Sequence, residues 1–251
     1  VSLVCKKIRG KLRVYVHITI EGLSKPKQDR FGNFKHSRGS GIVGCDIGTQ
    51  TIAYTTETKA GLKNLAERGS SIEVNERKER LIYRAMDRSR RAMNPDNYNE
   101  DGTIKKGKKT WTYSNRYKKL RTKHTELCRI NATNRHLAIN EDVNELRSLG
   151  DVFVTEPKNA KKLQKRAKTG KRKKRFGRSI KNRCPGYFQS QAKRKFRIYV
   201  EVPNDYKASQ YDHTSDTYIK KSLSQRMYKL QDGTMVQRDL YSSFLLYCID
   251  L

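Results

Sequence analysis

The sequence predicts an α/β fold: a mixed sheet interrupted by a long helical hairpin. Three observations predict it. Residues 12–20 alternate strictly between apolar and polar side chains, as a strand does. Residues 42–56 and 151–157 are short runs rich in β-branched and aromatic side chains, punctuated by Gly48 and closed by Pro157. Between them, from Ser71 to Leu149, apolar residues recur at helical spacing.

In chain order, Leu12, Val14, Val16, Ile18 and Ile20 form one face of a half-buried antiparallel strand. His17 lies on its polar face with Arg13 and Tyr15, a place for solvent or nucleic acid rather than for a ligand. Residues 25–40 read as a polar, basic linker. Residues 42–56 form a hairpin turning near Gly48, and Leu62 to Ala66 can add a third strand. A helix runs from Ser71, a capping residue with Glu73 and Glu76 in the first turn, to about Met93. Leu81, Ile82, Ala85 and Met86 mark its apolar stripe. Arg84, Arg88, Arg90 and Arg91 crowd the remaining surface, as a solvated face or as a stripe for RNA or DNA. Asn94-Pro95-Asp96-Asn97 breaks that helix. A second helical region carries Tyr113, Tyr117, Leu120, Leu127, Ile130, Leu137, Val143, Leu146 and Leu149 towards a stop at Gly150. Asp151 to Glu156 is a strand that Pro157 ends. Gln189 to Arg197 reads as a helix and Phe196 to Val202 as a strand. Residues 207–238 are polar and broken at Asp232-Gly233, and Gln237 to Leu246 form a closing helix with Leu240, Phe244 and Tyr247 inward.

The charge balance narrows the partners. Lys and Arg number 56 against 25 Asp and Glu, a net charge of +31, while only 35% of residues are hydrophobic. Self-repulsion on that scale opposes compactness, and a polyanion relieves it through counterion release. Nucleic acid is the expected partner, with an anionic membrane surface as the rival. No segment is apolar enough to span a bilayer and no signal peptide is recognisable, so no membrane partner is expected. Five cysteines, Cys5, Cys45, Cys128, Cys184 and Cys248, are scattered and odd in number. They imply a reducing cytoplasm, each thiol acting as a small core hydrophobe. The expected localisation is cytoplasmic, associated with a prokaryotic nucleoid. The chain opens at Val1 rather than Met, as in a processed product or a piece of a longer protein. Residues 158–183 are about half Lys and Arg, including Lys171-Arg172-Lys173-Lys174-Arg175, and are expected to stay mobile until phosphates neutralise them.

Three acids share a context. Asp46 ends the first strand of the hairpin, where it either closes an Asx-type turn or needs a partner or metal. Glu156 ends the strand before Pro157, and Asp239 opens the closing helix, where the dipole favours an anion. In an RNase H-like sheet those places converge on one edge. Three carboxylates there repel unless divalent cations bridge them, and two Mg²⁺ ions about 3.5–4 Å apart suit attack of water on a phosphodiester. Hard oxygen ligands select Mg²⁺ or Mn²⁺.

With those residues the sequence resembles TnpB-like proteins, the transposon-encoded OrfB nucleases related to type V CRISPR effectors. Gly44-Cys45-Asp46-Ile47-Gly48, Val154-Thr155-Glu156 and Arg238-Asp239-Leu240-Tyr241-Ser242 resemble the three motifs of that family's RuvC-like nuclease. Arg88-Ser89-Arg90-Arg91 through Lys106, and Leu163-Gln164-Lys165-Arg166-Ala167, resemble one branch of it. The resemblance spans nearly the whole chain. It implies an RNase H-like (RuvC) mixed sheet with a long helical hairpin insertion, preceded by a β-strand remnant of a wedge or barrel domain. It also implies RNA-guided, metal-dependent DNA cleavage, with guide RNA and target DNA as partners. Asp46, Glu156 and Asp239 are then both catalytic and metal-binding. Arg88, Arg90, Arg91, Lys165, Arg166, Lys171, Arg172, Lys173, Lys174, Arg175 and Arg238 contact nucleic acid.

The implied parts are 1–40, the strand and basic linker; 41–70, the first part of the nuclease; 71–149, the helical insertion; 150–206, its second part with the basic loop 158–183; 207–238; and 239–251, the closing helix. The chain departs from the family in two places. Family members commonly carry a four-cysteine zinc knuckle between the second and third acids, whereas residues 207–238 hold no cysteine. Asp212, His213 and Asp216 are too few ligands, so no structural zinc is expected. Of the parts that normally precede the nuclease, only a last strand is recognised, in residues 1–22. Two other functions remain open: an RNA-guided DNA-binding protein that does not cut, and a guide-free resolvase or transposase of the same fold.

Overall fold

The computed structural model describes residues 1–8, 10–21, 25–68, 70–159, 177–222 and 224–250. They cluster into two units, one made of Val1–Glu21 with Ser70–Asn134, the other of Gly22–Gly69 with Arg135–Leu251.

In the first unit the alternation near residue 12 builds β2 (Lys11–His17). It pairs antiparallel with β1 (Ser2–Ile8), Ser2 opposite His17 and Ile8 opposite Lys11. Half-burial was expected of it, and the structure corrects this. Leu12, Val14 and Val16 are 59–70% exposed, because a two-stranded ribbon has no inner sheet face in which to bury them. In the second unit the short α1 (Leu65–Arg68) sets Leu65 into the core. The first unit then continues with α2 (Ser70–Met93) and the first part of α3 (Asn115–Leu149). The turn between these helices is ordered by Asn94, whose amide donates to Arg90 O and Thr112 O at 2.8 Å each. Arg90 lies over Trp111 and Arg91 over Tyr98. The expected apolar stripe of α2 is narrower than its spacing implied: Met86 is buried, but Leu81 is exposed.

The second unit holds a five-stranded sheet. β3 (Ile42–Ile47), β4 (Thr51–Thr55) and β5 (Ala60–Asn64) form an antiparallel meander. β6 (Val152–Thr155) joins β3 in parallel, and β7 (Ile198–Glu201) joins β6 in parallel. The order across the sheet is β5-β4-β3-β6-β7. The first turn is tight because Gly48 N–H donates to Thr51 O at 2.9 Å, and a Cβ on Gly48 would lie 2.5 Å from that oxygen. Glycine is the side chain that fits there.

Alternation along the strands sorts the two faces. Val43, Cys45, Ile47 and Phe153 point to one face, where Ile139, Val143 and Leu146 of α3 cover them. α4 (Gly177–Arg183) and α5 (Pro185–Lys195) follow, and Phe188 and Ala192 of α5 join the same core. The long helix was expected within a separate 71–149 insertion. The unit boundary at Asn134 instead cuts it, since its last turns carry the apolar residues that cover the sheet. Lys63 of β5 is buried against α3, 3.5 Å from Asp142 and also paired with Glu145. On the opposite face Val152 and Val154 meet α6 (Arg238–Tyr247) through Tyr241, Leu245 and Leu246. Leu240, Phe244 and Tyr247 were expected to be the inward side. The structure turns the helix so that Tyr241, Ser242, Ser243, Leu245 and Leu246 are buried and Phe244 is exposed. The reason is Gly44, over which the small Ser243 passes in backbone contact.

Residues 207–238 form two small hairpins, β8 (Tyr211–Asp212) with β9 (Thr217–Tyr218) and β10 (Met227–Lys229) with β11 (Met235–Gln237). Buried Asp212 ties them: its carboxylate accepts from Thr214 N and Gln231 N at 3.0 Å each. The cysteines do not all lie in a core as expected. Cys45 is buried, Cys128 and Cys184 are half-buried, and Cys5 and Cys248 are exposed, since neither β1 nor the end of α6 is covered there. Among the described residues no helix is long and apolar enough to cross a membrane.

Candidate active site at the sheet end

The parallel register of β3 and β6 sets Cys45 beside Thr155. One residue further on, Asp46 and Glu156 are therefore neighbours. Both take the parity of Gly44 and Val154, which is the face that α6 covers. α6 runs across this face from Asp239, bonded to Thr51 at the hairpin tip, to Ser243, whose hydroxyl is 2.8 Å from Thr55 Oγ1. Asp239 thus lies at the same end of the same face as Asp46 and Glu156. The N-terminal turn is fixed by the Gln237 side chain, which accepts from Leu240 N at 2.6 Å.

The three carboxylates are not drawn into one coordination sphere: one oxygen from each does not fall within 4.8 Å of the others. Cations stand beside them instead. Lys158 Nζ is 2.6 Å from Asp46 Oδ1 and 2.6 Å from Ile47 O. Arg226 Nη1 is 3.0 Å from Asp239 Oδ2, and Arg238 Nε is 3.3 Å from Asp239 Oδ1. Thr51 Oγ1 donates to Asp239 Oδ2 at 3.3 Å. Glu156 accepts from Ala208 N at 3.0 Å. Burial, and then the neighbouring Asp46 charge, push its carboxyl above the ordinary value, against the pull of Lys158 and of that hydrogen bond. Burial alone would lower Lys158, but Asp46 and Glu156 outweigh it and hold the ammonium more firmly protonated than usual. A cavity of about 180 Å³ opens beside Glu156, lined by Pro157, Pro203, Asn204, Lys207, Ser209 and Gln210.

Sequence reasoning named the three acids but gave no place beside them to Thr51 or Arg226, and it read Lys158 and Arg183 only as the ends of the basic segment 158–183. Arg183 Nη1 donates to Thr49 O at 3.0 Å, adding another cation at the hairpin tip. The available signal for Lys158 was its place two residues beyond Glu156, just after the proline that ends the strand. Nothing in the local sequence marks Arg226, which reaches Asp239 through the β10–β11 pairing.

The expected nucleic-acid contacts fare unevenly. Arg88 is exposed. Arg90 and Arg91 are engaged by Asp87, at 2.6 and 3.1 Å, and by the aromatic rings of the inter-helix turn. Arg238 pairs with Asp239. Lys165, Arg166, Lys171, Arg172, Lys173, Lys174 and Arg175 lie outside the described residues. No protein-family model matches this chain, and no curated protein matches it.

Proposed function

We propose that the chain is a TnpB-like, RNA-guided DNA endonuclease with an RNase H-like (RuvC) nuclease core. One observation carries the reading. An antiparallel meander of three strands is extended by two parallel strands in the order β5-β4-β3-β6-β7, with Asp46, Glu156 and Asp239 at one end of one face. Nucleases of this fold use that sheet and those three places. The donor set is chemically suited to Mg²⁺ or Mn²⁺: carboxylate oxygens only, with one carboxyl, Glu156, whose raised proton affinity a cation would relieve. Asp46, Glu156 and Asp239 are the residues that would hold such ions. When bound, these ions supply an activated water and neutralise charge on the scissile phosphodiester.

The chain's own groups do the rest. Asp46 and Glu156 create a local negative field beside a protein surface that is otherwise strongly basic. Lys158, Arg183, Arg226 and Arg238 surround the hairpin tip with cations that suit a phosphate backbone. The net charge of +31 supplies the sequence-independent affinity for guide RNA and target DNA.

A second reading has its own observation. Lys158 and Arg226 sit on two of the acids, as they would in a guided DNA-binding protein that no longer cuts. One assay separates the two. The full chain, purified with its co-purifying RNA, is tested for nicking of a plasmid carrying the matching sequence, with Mg²⁺ and with EDTA. Cutting that needs Mg²⁺ and disappears in Asp46→Ala, while DNA binding persists, supports the nuclease. Binding without cutting supports the second reading, and cutting retained by Asp46→Ala overturns the site assignment.

A further inference from the structure

A second cluster of chemically capable side chains lies in the first unit, independent of the nuclease reading. His124 and Cys128 are one helical turn apart on α3, and Glu79 faces them from α2. Glu79 Oε1 is 3.5 Å from His124 Nε2 and 3.6 Å from Cys128 Sγ, and Cys128 Sγ is 3.7 Å from His124 Nε2. All three residues are half-buried. The triangle has a specific meaning. Zinc bonds of about 2.3 Å to sulfur and about 2.0–2.2 Å to nitrogen and oxygen give tetrahedral edges of roughly 3.4–3.6 Å. The three observed separations lie within about 0.2 Å of those edges; Cys128 Sγ is also 3.9 Å from His124 Nδ1, so the imidazole has to turn to aim Nε2 at the ion, a side-chain adjustment rather than a movement of either helix.

We propose that Glu79, His124 and Cys128 form a zinc site that clamps α2 to α3, with Glu79 Oε1, His124 Nε2 and Cys128 Sγ as ligands and water in the fourth position. The spacing explains why the ligands meet: residues i and i+4 share a helix face. The donor set of one thiolate, one imidazole and one carboxylate selects zinc over magnesium or calcium, which take oxygen alone. Zinc seats with release of the Cys128 proton, because the thiolate is the ligand, so affinity rises with pH. The expectation of no structural zinc rested on residues 207–238 alone, and this site lies elsewhere. The overall charge of +31 opposes a cation at long range, but at about 0.15 M salt that field is screened within about 8 Å and the three ligands decide.

The experiment uses the full chain, reduced and stripped with EDTA. Zn²⁺ and, separately, Co²⁺ are titrated in at physiological salt, following native mass, melting temperature and the visible Co²⁺ spectrum. One ion per chain is expected, with a higher melting temperature and a tetrahedral Co²⁺ spectrum carrying a thiolate charge-transfer band. Cys128→Ser and His124→Gln should lose the band and at least tenfold in affinity, Glu79→Gln should weaken binding, and Cys184→Ser should change nothing. Circular dichroism of the metal-free variants checks that each remains helical. Should a variant unfold, carboxymethylation of Cys128 in the folded apo chain, mapped by peptide mass, replaces it. Failure to bind one ion, or a band that survives Cys128→Ser or Cys128 alkylation, overturns the site.

Discussion

Lys158 and Asp46 are joined at 2.6 Å across the end of two parallel strands, and the same ammonium also reaches the Ile47 carbonyl at 2.6 Å. The lysine therefore compensates two like charges at once, since Glu156 neighbours Asp46 and both carboxylates raise its proton affinity. A catalytic site built from bare carboxylates would carry this repulsion unrelieved. Here one side chain holds it in check, and under the proposed nuclease reading a divalent cation would have to displace it.

That exchange is measurable. Lys158→Met keeps the aliphatic stem and removes the charge. Because Lys158 and Asp46 are 28% and 13% exposed, the loss should be about 1–2 kcal/mol, below the range for fully buried pairs. Millimolar Mg²⁺ should then raise the melting temperature more in the variant than in the parent, because the ion no longer competes with an ammonium. Chemical denaturation with and without Mg²⁺ checks both. Identical Mg²⁺ shifts in the two proteins would show that the ion does not bind beside Asp46.

Glu156 carries a pH signature of definite sign. Its folded carboxyl lies above the ordinary 4.5, so in the window just above that value the folded chain holds a proton that the unfolded chain has released. Stability from this group is complete below 4.5 and is lost as pH rises through the folded value. Glu156→Gln should remove that decline. The quantity to measure is the difference in unfolding free energy between variant and parent from pH 4 to 8, which should shift in the variant's favour with rising pH. A flat difference would mean the carboxyl titrates normally.

Gly44 tests the placement of Asp239. A Cβ at this position meets the backbone of Ser243 and Tyr247, so Gly44→Ala must push α6 off the sheet. Overpacking of this kind costs about 1–3 kcal/mol, and the bond between Thr55 and Ser243 at 2.8 Å should break with it. Asp239 rides on that helix, so plasmid nicking should fall at least tenfold at temperatures where circular dichroism shows the variant folded. Nicking that tracks only the folded fraction would place no demand on helix position.

Much of this was legible in the chain, for physical reasons that differ by element. The sheet strands could be read because β-branched runs bounded by Gly48, Gly150 and Pro157 leave little choice of structure. The parallel pairing of β3 with β6 could not, since it joins residues more than a hundred positions apart. The three acids stood out as carboxylates at strand and helix ends in a basic chain. Their counter-ions did not: Lys158 and Arg226 resemble any of 56 cationic residues until the fold brings them to Asp46 and Asp239. Periodicity likewise misjudged β2 and α6. It detects that an element has two faces, but whether a face meets a partner, and whether a glycine such as Gly44 turns a helix, is decided by tertiary packing.

Asp212 offers the last test, in the two small hairpins of residues 207–238. Its carboxylate takes hydrogen bonds from Thr214 N and Oγ1 on its own hairpin and from Gln231 N on the other, so one side chain joins both. Burial pushes this carboxyl up, but the bonds from Thr214 and Gln231 outweigh it and hold it below its ordinary 3.8. A carboxyl depressed in the folded state stabilises above the unfolded value and loses that contribution as pH falls through the folded one. Asp212→Ala strands two backbone N–H groups and should cost about 1–3 kcal/mol at pH 7. The cost should shrink below about pH 4, where the parent begins to protonate. No structural zinc is expected in residues 207–238, so EDTA should leave the hairpins' contribution unchanged, and a loss of that contribution in EDTA would overturn the expectation. Hydrogen exchange at Thr214 and Gln231 reads the pin directly: both amides should lose protection in the variant, and protection that survives would mean that the aromatic contacts among Tyr211, Tyr218, Tyr228 and Tyr241 hold the hairpins without it.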